Sequence, residues 1–87
     1  MKRPWQIQTA PRNLRFATER ACFDSLVERL TRMARDFPFT DLTGVRHEAR
    51  RFMSNTDTGQ KTWVEVIIDR HDDPQVVSWD EDVRPEV

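Results

Sequence analysis

The segment Glu19-Arg20-Ala21-Cys22-Phe23-Asp24-Ser25-Leu26-Val27-Glu28-Arg29-Leu30-Thr31-Arg32-Met33-Ala34-Arg35-Asp36-Phe37 decides the architecture of this chain. Phe23, Leu26, Val27, Leu30, Met33, Ala34 and Phe37 recur at spacings of three and four, which aligns them along one face of an α-helix. Ser25, Glu28, Arg32 and Asp36 fall opposite that stripe, with Asp24, Arg29 and Arg35 on its flanks, so these polar residues face solvent. Thr18 stands where a hydroxyl can satisfy an orphan amide of the first turn, and Pro38 cannot continue the hydrogen-bond ladder at the other end. Glu28 and Arg32 form an i,i+4 pair in the favoured order, worth about 0.2 to 0.5 kcal/mol. Burial of each large side chain in the stripe contributes roughly 1.5 to 3 kcal/mol, so the stripe is the main source of stability.

A β-hairpin follows. Val45 to Ser54 and Lys61 to Asp69 flank Asn55-Thr56-Asp57-Thr58-Gly59-Gln60, where Asp supplies side-chain turn bonding and Gly a positive φ. The second arm is rich in β-branched residues and alternates, with Val64, Val66 and Ile68 on one face and Trp63, Glu65 and Ile67 on the other. Charges and aromatics predict its register. Ser54 opposite Lys61 brings Phe52 against Trp63, Arg50 against Glu65 and Arg46 against Asp69 on one face, with Ala49 against Val66 and His47 against Ile68 on the other. A slip of one residue would send every side chain to the wrong face. Arg51 opposite Val64 is the misfit, and it is expected at the sheet rim.

Trp5 to Thr9 alternates as a strand, Ala10 to Asn13 breaks it, and Leu14 to Phe16 either pairs back as a short hairpin or leads into the helix. The hairpin is the preferred reading. Val76 to Trp79 can form a short edge strand, and residues 80–87 are acidic with little to bury, which predicts a mobile tail. The expected fold is α+β: an antiparallel sheet of the N-terminal strand or short hairpin plus the later hairpin, one long helix on one face, order β(β)αββ, in a single domain over residues 1–79.

At 87 residues the chain has room for one core, and a domain this small has a thin stability margin that a partner or a homodimer would widen. The single cysteine excludes an internal disulfide and favours a reducing, cytoplasmic setting. No stretch has the ~18 to 20 apolar residues of a membrane span, and the first residues lack the apolar run of a secretion signal. Met1 to Arg51 carries 11 Lys+Arg against 6 Asp+Glu, whereas Phe52 to Val87 carries 3 against 9, so two oppositely charged halves sum to a net charge of −1. Mutual neutralisation across the fold is the simpler reading of that asymmetry, and a basic nucleic-acid face is the other.

Residues that could carry chemistry are few. Cys22 near the helix N-terminus lies where the helix field can lower a thiol pKa, and with His47 or His71 it makes the sole thiol and imidazole pairing; a small half-buried filler is the favoured reading. His47 on the core side of the hairpin reads as hydrogen-bonded structure. His71, Asp72 and Asp73 are adjacent and cannot all point inward on an extended chain, which favours a solvated turn over a cation site. Asp24, Glu28 and Asp36 lie on the wet helix face with arginines between them, so no catalytic pair, metal site or cofactor is expected.

The sheet face opposite the helix is the remaining candidate. Phe52, Trp63 and Ile67 rimmed by Arg46, Glu48, Arg50 and Glu65 combine aromatic anchors with a charged border, the anatomy of a protein-binding patch. Because 12 of the 14 basic residues are arginine, an alternative assigns Arg46, Arg50, Lys2, Arg3, Arg12 and Arg15 to phosphate and base contacts on single-stranded nucleic acid. The expectation is therefore a non-enzymatic adaptor or inhibitor module acting on an unidentified protein partner, with nucleic-acid binding second. Two-layer modules of this shape occur among small adaptor and inhibitor proteins, including phage-encoded accessory proteins, by analogy of shape alone.

Overall fold

The computed structural model describes residues 2–36, 38–41, 44–69, 71 and 73–81. Its elements in chain order are β1 (Trp5–Ile7), β2 (Leu14–Phe16), α1 (Glu19–Asp36), β3 (Pro38–Asp41), β4 (Gly44–Asn55), β5 (Lys61–Ile68) and β6 (Pro74–Asp80). All strand pairings are antiparallel, in the order β2-β1-β4-β5-β6, with β3 also paired to β4. The α+β architecture with one helix against the sheet is the expected one. It is enlarged by β3, which begins at the proline that ends the helix, and by β6, which extends the edge strand read at Val76 to Trp79.

Helix α1 starts where the cap predicts, with the Ala21 amide donating to Thr18 Oγ1 at 3.2 Å and the Cys22 amide to the Thr18 carbonyl at 3.2 Å. Its buried side is the row Cys22, Leu26, Leu30 and Ala34, with Phe23, Val27 and Met33 packed alongside, so the i,i+4 spacing of small and branched residues sets the contact line. Phe37, expected to close the stripe, lies outside the described residues. On the wet side Arg32 Nη2 reaches Glu28 Oε1 at 2.6 Å, the expected pair, and Arg20 pairs with Asp24 at 3.2 Å.

The β4–β5 ladder has the register read from the sequence, with Ser54 opposite Lys61, Phe52 opposite Trp63, Arg50 opposite Glu65, Ala49 opposite Val66 and His47 opposite Ile68. Its turn is organised differently in detail. The Asn55 carboxamide, rather than Asp57, accepts the amides of Asp57 at 2.9 Å and Thr58 at 3.0 Å, and Gly59 takes φ +77° as it donates to the Asn55 carbonyl at 2.8 Å. At the N-terminus β1 and β2 pair as the preferred hairpin, Trp5 with Phe16 and Ile7 with Leu14. β1 then sits against the end of β4, with Ile7 opposite Met53.

The core is one cluster in which Trp5, Ile7, Ala49, Met53, Val64, Val66 and Ile68 from the sheet meet the helix row. Thr62 completes the buried side of β5, its hydroxyl donating to Asp80 Oδ1 at 2.9 Å. Asp80 and Glu81, assigned from sequence to the acidic tail, are thereby attached to the sheet, since the Glu81 amide also donates to the Lys61 carbonyl at 3.0 Å. The rest of the expected tail, from residue 82 onward, lies outside the described residues.

Candidate functional site

Side-chain alternation in β5 separates two faces. Thr62, Val64, Val66 and Ile68 are buried beneath α1, while Lys61, Trp63, Glu65 and Ile67 are half-buried on the face that the helix does not cover. Register carries this division to the neighbouring strands. Phe52, Arg50 and Glu48 stand on the open face opposite Trp63, Glu65 and Ile67, and Arg46 continues the row. All seven residues expected in a partner-binding patch therefore share one surface.

The Asn55 amide donates to Gln60 across the turn at 2.8 Å, and alternation from that bonded pair makes Phe52–Trp63 and Arg50–Glu65 non-hydrogen-bonded pairs, where facing side chains approach most closely. Phe52 and Trp63 meet edge to face with centroids 5.2 Å apart and planes at 61°. Lys61 Nζ stands 4.6 Å from the Phe52 ring centroid and the Arg50 guanidinium carbon 6.0 Å from that of Trp63, so cations cover both rings. β6 adds Trp79 directly opposite Trp63, and Val77 opposite Glu65. Trp79 and Val77 were absent from the sequence-derived patch. Their signal was the alternation Gln75, Val77, Trp79 in the edge strand.

Arg50 stands opposite Glu65, as the register reading expected. Arg46 Nη2 bonds Glu48 Oε2 at 3.0 Å along its own strand. The β4–β5 register pairs run as far as His47–Ile68, and beyond them Asp69 Oδ1 accepts the His71 amide at 2.9 Å. Arg51 is exposed at the rim, as expected, with Nη1 donating to the Arg50 carbonyl at 2.7 Å. A groove of about 360 Å³ lies where the β4 edge runs free between β1 and β3, lined by Met33, Glu48, Ala49, Arg50 and Arg51.

Among the residues of the nucleic-acid alternative, Lys2, Arg3 and Arg12 are exposed outside the strands. Arg15 joins Arg46, Arg50 and Lys61 on the open face, since it pairs with Gln6, which pairs with Ser54. Its guanidinium is engaged locally, donating to the Arg3 carbonyl at 3.0 Å and to Thr56 Oγ1 at 3.4 Å. These four cations share the described sheet face with at least three carboxylates, Glu48, Glu65 and Glu81, the last 3.9 Å from Lys61 Nζ, which leaves the face close to neutral.

The chemistry-bearing residues lie apart from this face. Cys22 is fully buried rather than half-buried, and burial, reinforced by the Glu19 carboxylate, pushes its thiol from the ordinary 9.0 up to about 11. The helix field that could have activated the thiol is outweighed by desolvation. His47 Nδ1 lies 2.8 Å from the carbonyl oxygen of Ala34, about 18 Å along the helix from Cys22, so the two make no thiol–imidazole pair. His71 is exposed, Asp72 is outside the described residues, and among the described residues no three His, Cys, Asp or Glu side chains gather as a metal site. A second groove, of about 450 Å³, opens between α1 and β6 and is lined by Glu19, Arg20, Phe23, Met53, Thr62 and Ser78. No helix among the described residues is long and apolar enough to cross a membrane. Comparison with protein-family models, curated proteins and solved structures finds no match to this chain.

Proposed function

We propose that this protein is a non-enzymatic protein-interaction module that engages its partner through the open face of the sheet. The observation that carries the reading is the Phe52–Trp63 pair, joined by Trp79 in register and bordered by Arg46, Glu48, Arg50 and Glu65 on the face the helix leaves uncovered. Half-buried aromatics held by cross-strand neighbours lose little side-chain freedom on binding, which is what makes such residues efficient anchors. The mixed rim suits a protein surface of alternating charge and supports orientation more than affinity. Trp63→Ala combined with Arg50→Glu is expected to weaken partner capture from the native host more than ten-fold while leaving the far-UV spectrum unchanged. Undiminished capture by the folded double variant overturns the reading.

The guanidinium groups of Arg15, Arg46 and Arg50 beside the aromatic pair support a second reading, in which the same aromatics stack on single-stranded nucleic acid. Phosphate contacts release counterions, so that binding must fall steeply with salt and weaken on Arg50→Ala. Titration of labelled single strands at about 50 and 200 mM salt separates the two readings.

A further inference from the structure

We infer that β6 is a self-pairing edge, through which two copies of this chain join their sheets antiparallel about a two-fold axis at Ser78. β6 runs seven residues, Pro74 to Asp80, and no charged residue lies between Gln75 and Trp79. Edge strands that stay monomeric are ordinarily guarded by lysine, an internal proline or a bulge, and β6 has none of these after its first residue. It also carries the large hydrophobic side chains left exposed among the described residues, Val76 at 42% and Val77 at 46%, one on each face of the sheet.

The hydrogen-bond pattern restricts how a second strand can dock. The Glu81 amide donates inward to Lys61, so the odd residues of β6 turn their backbone groups toward β5, and Val76, Ser78 and Asp80 turn theirs outward. Two copies can bond only by matching outward residues to outward residues, which admits axes at residues such as Val76, Val77 or Ser78 and excludes axes between residues. An axis at Val77 sets Asp73 against the partner copy's Glu81, a like-charge clash at each rim. An axis at Val76 sets Trp79 against Asp73. The Ser78 axis bonds Ser78 to its own counterpart and Val76 to Asp80, and leaves Pro74, which lacks an amide hydrogen, outside these bonded pairs. It also places Val77 against Trp79 at a close, non-hydrogen-bonded position on the open face, an aromatic and β-branched pair of the favourable kind, and Gln75 against Glu81.

Self-complementarity of this sort favours a second copy over an unrelated strand, because one sequence supplies both halves of every pair. A lone strand pairing is smaller than the ~800 Å² per partner of a standard interface, so the dimer forms reversibly with rising concentration. It would fuse the two aromatic faces into one continuous surface, independently of what that surface binds.

Sedimentation equilibrium of the full chain from micromolar to millimolar concentration is expected to show mass rising from 10.4 kDa toward twice that value. Val76→Lys, facing Asp80 of the other copy twice, should tighten association, and Val76→Glu should weaken it about ten-fold relative to the parent. Ser78→Pro removes an outward amide without breaking a β5 bond and should leave a monomer with unchanged secondary structure. A chain that remains monomeric at millimolar concentration overturns the proposal. So does association that is indifferent to the sign of charge at Val76, a readout that stands even if Ser78→Pro fails to fold.

Discussion

His47 of β4 places Nδ1 2.8 Å from the carbonyl oxygen of Ala34 in the last turn of α1. A carbonyl can only accept, so Nδ1 carries the proton and the ring acts as a C-terminal cap, satisfying one of the four carbonyls that a helix end leaves without an intrahelical donor. Because His47 also sits opposite Ile68, this bond ties the end of the helix to the central ladder. His47→Ala should cost about 1 to 2 kcal/mol in denaturant unfolding, through the half-buried acceptor it orphans. Partner binding should be unaffected, since the ring lies on the helix side of the sheet.

Cys22 makes a pH-dependent contribution whose sign follows from its buried thiol. The folded value of about 11 lies above the ordinary 9.0, so folding retains a proton that the unfolded chain releases. The stabilisation is complete below about pH 9 and is lost as pH rises through 11, amounting to about 2 to 3 kcal/mol at most. The chain has no tyrosine, and Lys2 and Lys61 are its only lysines, so few other side chains titrate in that window. Unfolding free energies at pH 8 and pH 10.5 should therefore diverge more for the parent than for Cys22→Ala. A thiol reagent at pH 8 should label the native chain far more slowly than the denatured one.

Legibility in the sequence tracked how many independent constraints fell on one segment. Helix α1 had a cap, an apolar stripe and a proline stop in agreement, and its ends were readable to the residue or nearly so. The β4–β5 register was over-determined by an aromatic pair, a charge pair and the alternation of Val64, Val66 and Ile68. Strand β3 had no such support: in Pro38-Phe39-Thr40-Asp41 the proline reads as a helix stop, and four residues are too few to show a period. β6 was visible as a short edge strand at Val76 to Trp79 but not in its length, because its partner is β5 and nothing local marks Pro74 or Asp80 as paired. The same reason kept Trp79 out of the patch, since its place beside Trp63 depends on a pairing across 16 residues of chain. The side-chain bonding of the turn was read onto Asp, whereas the Asn55 carboxamide supplies it; Asn and Asp are both capable of that role, so residue type alone does not separate Asn55 from Asp57.

Gly59 isolates backbone strain from packing. A Cβ built there meets nothing within 4 Å, so the cost of Gly59→Ala comes from φ +77° alone and should be about 1 kcal/mol in chemical denaturation. Gly59→Asn should lose less, because asparagine tolerates the left-handed region. Equal losses for the two variants would mean that something other than φ governs the turn.

Val64 and Trp63 are adjacent in β5 and point to opposite faces, which lets stability and recognition be separated one residue apart. Val64 is fully buried beneath the helix, and Val64→Ala should destabilise the chain by about 2 kcal/mol through lost burial and the cavity left behind. Trp63→Ala deletes far more side chain but from a half-buried position on the open face, where the edge-to-face contact with Phe52 is worth about 0.5 to 1.5 kcal/mol. A double-mutant cycle of Phe52→Ala and Trp63→Ala should return a coupling in that range, confined to the open face. The open-face reading therefore expects the smaller truncation to cost more stability and the larger one to cost more binding. If Trp63→Ala instead unfolds the chain as severely as Val64→Ala, the tryptophan belongs to the core and the surface assigned to recognition loses its anchor.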